Sequence, residues 1–154
     1  MRTKVINEMT LRFPSLSENE RFARLAVSGF ISQLDPAVDE LGEIKTAVSE
    51  GVTNCIVHAY RGTVGEITMH VRLLEGSRVY IRIKDKGCGI ENIEQARAPL
   101  FTTAPEDERA GLGFAIMESF SDKLSVLSRP GRGTTLTLQR TLSSRKAEDD
   151  NSKT

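Results

Sequence analysis

Apolar positions along the chain follow two periods, and the switches between them mark its elements. "VINEMTLRFPS", from Val5, has β-branched and alternating residues and is ended by Pro14, so it predicts a strand. In "SENERFARLAVSGFISQL", Phe22, Leu25, Ala26, Phe30 and Leu34 recur at helical spacing, after a capping-box signature of Ser17 and Glu20. "DPAVDELGEIKTAVSEGVTNCIVHAY" predicts a second helix, with Asp35 as cap, Pro36 at the first helical position and an end near Tyr60. "EITMHVRLLEGSRVYIRIKD" reads as two strands joined by a turn at Glu75, Gly76 and Ser77. A glycine-rich "KGCGI" loop follows, then a short helix in "NIEQARAPL" that stops before Pro99. "FTTAPEDERAGLG" has no apolar period and reads as a mobile loop. "LGFAIMESF" is a helix entered from glycine, and "KLSVLSRPGRGTTLTLQR" a hairpin around Arg129 to Gly133. Residues 141–154 are polar and are expected to be disordered, leaving one domain over residues 1–140. This order predicts an α+β fold, a two-layer α/β sandwich with helices on one face of a mostly antiparallel sheet.

Composition narrows the classes of function. The 154 residues suit one domain with a real core, and 27% of them are charged. Lys+Arg and Asp+Glu both total 21, for a formal net charge of +0, which argues against a non-specific nucleic-acid binder. Cys55 and Cys88 form no metal-binding pattern and read as free thiols. The N-terminus has no apolar signal core and no run reaches a membrane span, so a cytoplasmic protein without a membrane partner is expected.

Four features carry candidate chemistry. Glu50, Asn54 and His58 are spaced one helical turn apart, on a single stripe of the second helix. Asn54 can offer an amide oxygen to Mg²⁺, and Glu50 can accept a proton from an attacking hydroxyl; a wet helix face is the plainer alternative. Asp85 has the parity of Val79, Ile81 and Ile83, so it should point to the core side, where a carboxylate needs donors such as a purine amino group. Gly87 and Gly89 let the backbone approach a ligand closely or adopt positive φ, although Asp-Gly turns are also common without a ligand. Gly111 and Gly113 open a helix whose free N–H groups suit phosphate, or they simply end a loop. Thr134 shares the parity of Leu136 and Leu138 and should face inward; strand propensity alone would also place it there.

Together and in this order, the motifs resemble the GHKL ATP-binding family of DNA gyrase and the histidine kinases. Glu50-x-x-x-Asn54 matches its N box, Asp85-x-Gly87-x-Gly89 its first glycine box, and Gly111-x-Gly113 its second. "LSENERFARLAV", "DELGEIKTAVSEGVTN", "PLFTT" and "GLGFAIMESF" are more narrowly similar to the anti-sigma F factors of endospore-forming bacteria, a family of anti-sigma serine kinases. That resemblance runs from about Asn7 to Leu138. It implies ATP and Mg²⁺ as cofactors, with Asn54 as the metal ligand and Glu50 as general base on a serine hydroxyl. It implies that Asp85 reads adenine, with Gly87 and Gly89 allowing close approach and Thr134 nearby. Arg109, Gly111, Leu112 and Gly113 would wrap the phosphates, and Thr103 would belong to the same nucleotide site. Ala110 stands where the family pattern has serine. Arg24 would bind protein partners, and His58 would cap its helix rather than act in catalysis. The implied partners are sigma factor F, an anti-anti-sigma factor phosphorylated on serine, and a second copy in a homodimer. A general-stress anti-sigma kinase would share every motif. A non-enzymatic ATP-gated binder would not need Glu50. A histidine kinase would need a phosphoacceptor histidine on a dimerising helix, and neither His58 nor His70 lies in one.

Overall fold

The computed structural model describes residues 3–98 and 112–143. Strand β1 spans Val5–Pro14, and helix α1 spans Glu18–Ile31, continued by a 3-10 turn at Ser32–Leu34. Helix α2 spans Val38–Asn54 and runs into a π-helical turn at Cys55–Ala59. Strands β2 (Glu66–Leu74) and β3 (Arg78–Asp85) form a hairpin. Helices α3 (Ile93–Arg97) and α4 (Gly113–Ser119) follow, then strands β4 (Lys123–Arg129) and β5 (Gly133–Thr141). The strands make a five-stranded sheet in the order β1-β2-β3-β5-β4, antiparallel throughout.

Alternation builds the two layers. Ile67, Met69, Val71 and Leu73 of β2, Val79, Ile81 and Ile83 of β3, and Leu136 and Leu138 of β5 are buried on one face. Their neighbours Thr68, His70, Arg82 and Lys84 lie on the other face, where Glu8 accepts from His70 at 3.0 Å and from Arg72 at 3.1 Å. The apolar face is covered by Val27 and Ile31 of α1, Val48 and Val52 of α2, and Phe114 and Met117 of α4. Helix α2 is buried nearly all round between Ala47 and Val52, because α1, α4 and the sheet all pack on it.

Four local expectations are corrected. The buried stripe of α1 is Ala23, Val27 and Ile31, while Phe22 and Leu25 are exposed. Leu34 is buried and Phe30 packs against the core, so the predicted stripe holds at the C-terminal end of the segment. The capping box does not form. Ser17 has helical φ and ψ and its side chain makes no cap bond. Glu20 is drawn to other partners: it accepts from the Ser49 hydroxyl of α2 and pairs with Arg24 at 3.8 Å. Asp35 is not the cap of α2. It ends the 3-10 turn in the left-handed region at φ 49°, and Ala37, in extended conformation, precedes the first turn of α2. The tail expected to be disordered from residue 141 is ordered at its start: Thr141 ends β5, Leu142 is fully buried and Ser143 N donates to Glu40. Residues 144–154, and residues 101–111 of the loop expected over 101–113, lie outside the described residues.

Candidate functional site

The candidate residues gather where the C-terminal half of α2 crosses the end of β3 and the start of β5. Glu50 is 5% exposed, so its carboxylate is not on a wet helix face. A Cβ added at Gly113, the first residue of α4, would stand 3.3 Å from Glu50 Oε2. The second glycine motif is thus brought directly against the candidate base, and glycine is what lets α4 start that close. Asn54, one turn on, is half-buried at the end of α2, and its side chain does not cap the turn that follows. His58 falls in the π-helical turn that follows α2 rather than in α2 itself. The His58 carbonyl accepts from the Cys88 thiol at 3.3 Å.

Asp85 lies inward, as its parity predicts, and is 2% exposed. Its Oδ1 accepts from Gly87 N at 2.9 Å and from Thr134 N at 3.1 Å. Burial pushes the Asp85 carboxyl above its ordinary range; the Gly87 N–H, the Cys55 thiol and the Thr134 N–H offset part of that rise. The Cys55 thiol is itself pushed well up, first by burial and then by the neighbouring Asp85 charge. Thr134 is buried beside Asp85.

The two glycines of the β3 loop answer a local need. At Gly87 a Cβ would collide with the Ala59 carbonyl, and at Gly89, where φ is +76°, with the Arg129 carbonyl. The close approach they permit is to the protein's own backbone. Cys88 N donates to Ala59 O at 3.0 Å and Gly131 N to Cys88 O at 2.6 Å, so the loop is clasped between the π-helical turn and the β4–β5 turn.

Leu112 is exposed just before α4. Thr103, Arg109 and Gly111 lie outside the described residues. Arg24 lies on α1, well away in sequence from this cluster, with 38% of its side chain exposed and Phe22 and Leu25 exposed on the same helix. Sequence reasoning missed two residues of the site. The Tyr60 hydroxyl donates to Glu66 O at 2.6 Å and accepts from Lys86 N at 2.6 Å, tying β2 to the residue after Asp85. The Ser128 hydroxyl touches Thr134 Oγ1 at 2.8 Å. Ser128 was readable: it shares the inward parity of Leu124 and Val126 and pairs directly with Thr134 across the hairpin.

Among the described residues, no group of three His, Cys, Asp or Glu side chains is arranged to hold a metal. The Asn54 amide oxygen is a hard donor of the kind that Mg²⁺ takes beside phosphate and water oxygens.

The fold defines a histidine kinase-like ATPase domain, and the family model of that description matches residues 13–140. An anti-sigma F factor of Anoxybacillus flavithermus is 51% identical over 141 residues, covering 92% of this chain and 97% of the relative. One from Bacillus licheniformis is 54% identical over 142 residues, with the same shares covered. The chain belongs to the anti-sigma F factor family, within this ATPase domain class. Among solved structures, the RsbU and RsbW domains of a Mycobacterium tuberculosis protein superpose with a TM-score of 0.65 at 19% identity, over 88% of this chain and 32% of that longer one. The histidine kinase domain of an Erythrobacter litoralis blue-light activated kinase gives 0.54 at 20% identity, over 80% of this chain and 61% of that one. At those identities the structures attest the fold. No helix among the described residues is long and apolar enough to cross a membrane.

Proposed function

We propose that this protein is a cytoplasmic, homodimeric anti-sigma factor that binds Mg²⁺-ATP, sequesters sigma factor F and phosphorylates a serine of an anti-anti-sigma factor. The observation that carries the kinase reading is the placement of buried Glu50 against Gly113, with Asn54 one turn along. Membership among the anti-sigma F factors supports the sigma-factor partner.

Asp85, with Thr134 beside it, binds the adenine amino group. Gly111, Leu112 and Gly113, with Thr103 and Arg109, hold the phosphates. Asn54 would hold Mg²⁺, which when bound would supply charge neutralisation on the phosphates. Glu50 accepts the proton of the partner serine hydroxyl. The serine oxygen then bonds to the γ-phosphorus as its bond to the bridging oxygen breaks, and ADP leaves. The work is positioning and electrostatics, as is general for phosphoryl transfer. Arg24, half-exposed on α1 near the exposed Phe22 and Leu25, is the anchor for protein partners. An added phosphate changes the charge of the partner's interface, which separates the two partner states.

The test is incubation with γ-labelled ATP and purified candidate partners, read by mass spectrometry. Transfer to one serine of the anti-anti-sigma protein is expected. Nucleotide binding with no transfer to any partner would leave an ATP-gated binder instead.

A further inference from the structure

Ser128 was singled out neither by the sequence nor by the proposed mechanism, yet its hydroxyl is the most heavily used in the site. A hydroxyl carries one donor and two acceptor lone pairs. Ile90 N lies 2.8 Å from Ser128 Oγ and can only donate. Gly133 O lies 3.0 Å away and can only accept. Thr134 Oγ1 lies 2.8 Å away and can do either. The first contact takes one lone pair and the second takes the only proton. What remains for Thr134 is a lone pair, so Thr134 must donate.

The consequence falls on Thr134. With its proton committed to Ser128, it has only lone pairs left to offer. Its neighbour Asp85 already accepts two backbone N–H bonds at Oδ1 and, as a carboxylate, has only acceptors left at Oδ2. We infer that Ser128 is a specificity-setting positioning residue: by holding the Thr134 proton, it makes the base end of the site an acceptor-only surface, matched to a purine with an amino group at C6 and opposed to one with a carbonyl there. A carbonyl would set acceptor against acceptor and leave buried groups unpaired, which is how a polar site rejects an isostere. This rests on the adenine reading of Asp85 proposed above.

The probes are ATP and inosine triphosphate, which carry an amino group and a carbonyl, respectively, at C6. Both are titrated calorimetrically into the full-length protein and its Ser128→Ala, Ser128→Thr and Asp85→Ala variants. In Ser128→Ala the freed Thr134 hydroxyl can turn to donate to the carbonyl, so the preference for ATP over inosine triphosphate should fall about tenfold, chiefly by a gain for the inosine nucleotide. Ser128→Thr keeps the hydroxyl and should keep the wild-type ratio. A purely structural Ser128 would weaken both nucleotides equally, so an unchanged ratio in Ser128→Ala overturns the inference, as does an equal relaxation in Ser128→Thr. Should Ser128→Ala fail to fold, Thr134→Val replaces it: the ratio should fall there too, and an unchanged one overturns the inference. Asp85→Ala separates the two levels. If it binds ATP as wild type does, the nucleotide-site reading itself fails; if it loses ATP while the Ser128→Ala ratio stays put, only the role of Ser128 fails.

Discussion

Glu40 and Asp85 are buried to nearly the same degree, at 4% and 2% exposure, but the fold treats their charges in opposite ways. Glu40 Oε2 accepts from Ser143 N at 2.8 Å and from the Ser143 hydroxyl at 3.1 Å, and Arg140 stands 3.9 Å away. Arg140 is anchored in turn, donating to Glu43 at 2.7 Å and to Phe120 O at 3.1 Å. That carboxylate is compensated by a cation and stitches the end of β5 to the first turn of α2 and the end of α4. Asp85 is held by two backbone N–H groups and a thiol, and burial raises its pKa. The first carboxylate stabilises the fold. The second is kept at the fold's expense, a cost that the adenine-binding role proposed for Asp85 would account for.

The contrast is sharpest for Arg140→Ala. Removing it takes the cation away from buried Glu40 and from Glu43, so urea unfolding should show a loss of about 3 kcal/mol, with nucleotide affinity per folded molecule unchanged. Asp85→Asn should do the reverse. Its Oδ1 must still accept from Gly87 and Thr134, which turns the new NH₂ group toward the base amino group, donor against donor. ATP affinity should fall about a hundredfold in calorimetry.

The same substitution should stabilise the unliganded fold. A carboxyl with a raised folded-state pKa favours folding while protonated; that contribution is present below the ordinary value of 3.8 and is lost as pH rises through the raised one. Asp85→Asn should therefore raise Tm by about 3 °C at pH 7, and the gain should vanish below pH 3.8. Equal or lower Tm at pH 7 would break the comparison. The smallest effect belongs to Glu8, a carboxylate paired on the open sheet face. Its pKa is lowered, first by the His70 hydrogen bond and then by that of Arg72, so its contribution is present above the ordinary value of 4.5 and is lost as pH falls through the lower folded one. In 0.5 M salt, roughly, Glu8→Ala should unfold with wild type, because exposed pairs are screened.

Strand parity made much of the site legible. Asp85 and Thr134 follow their apolar neighbours inward with no knowledge of the fold. Helix faces were less legible, because spacing alone cannot choose between Phe22 and Leu25 on one side and Ala23 and Val27 on the other. The Ser17 and Glu20 pair matches a capping box by type, but Glu20 finds partners that only the folded helix pair supplies, Ser49 and Arg24. Ser128 shows the same limit from the other side: its parity is local, but its partners depend on the register of β4 on β5 and on the loop at Ile90. Gly87 and Gly89 were read as letting a ligand come close or taking positive φ; the fold shows positive φ at Gly89, and the atoms that come close are backbone of Ala59 and Arg129.

The most direct test of the central claim is single-turnover phosphotransfer from γ-labelled ATP to the anti-anti-sigma protein, comparing wild type with Glu50→Gln. The variant should bind ATP and sigma factor as wild type does and transfer phosphate slower by about 10²–10⁴-fold, the scale of a lost general base. Transfer at the wild-type rate would contradict the assignment of Glu50, and with it the reason a carboxylate is buried against Gly113.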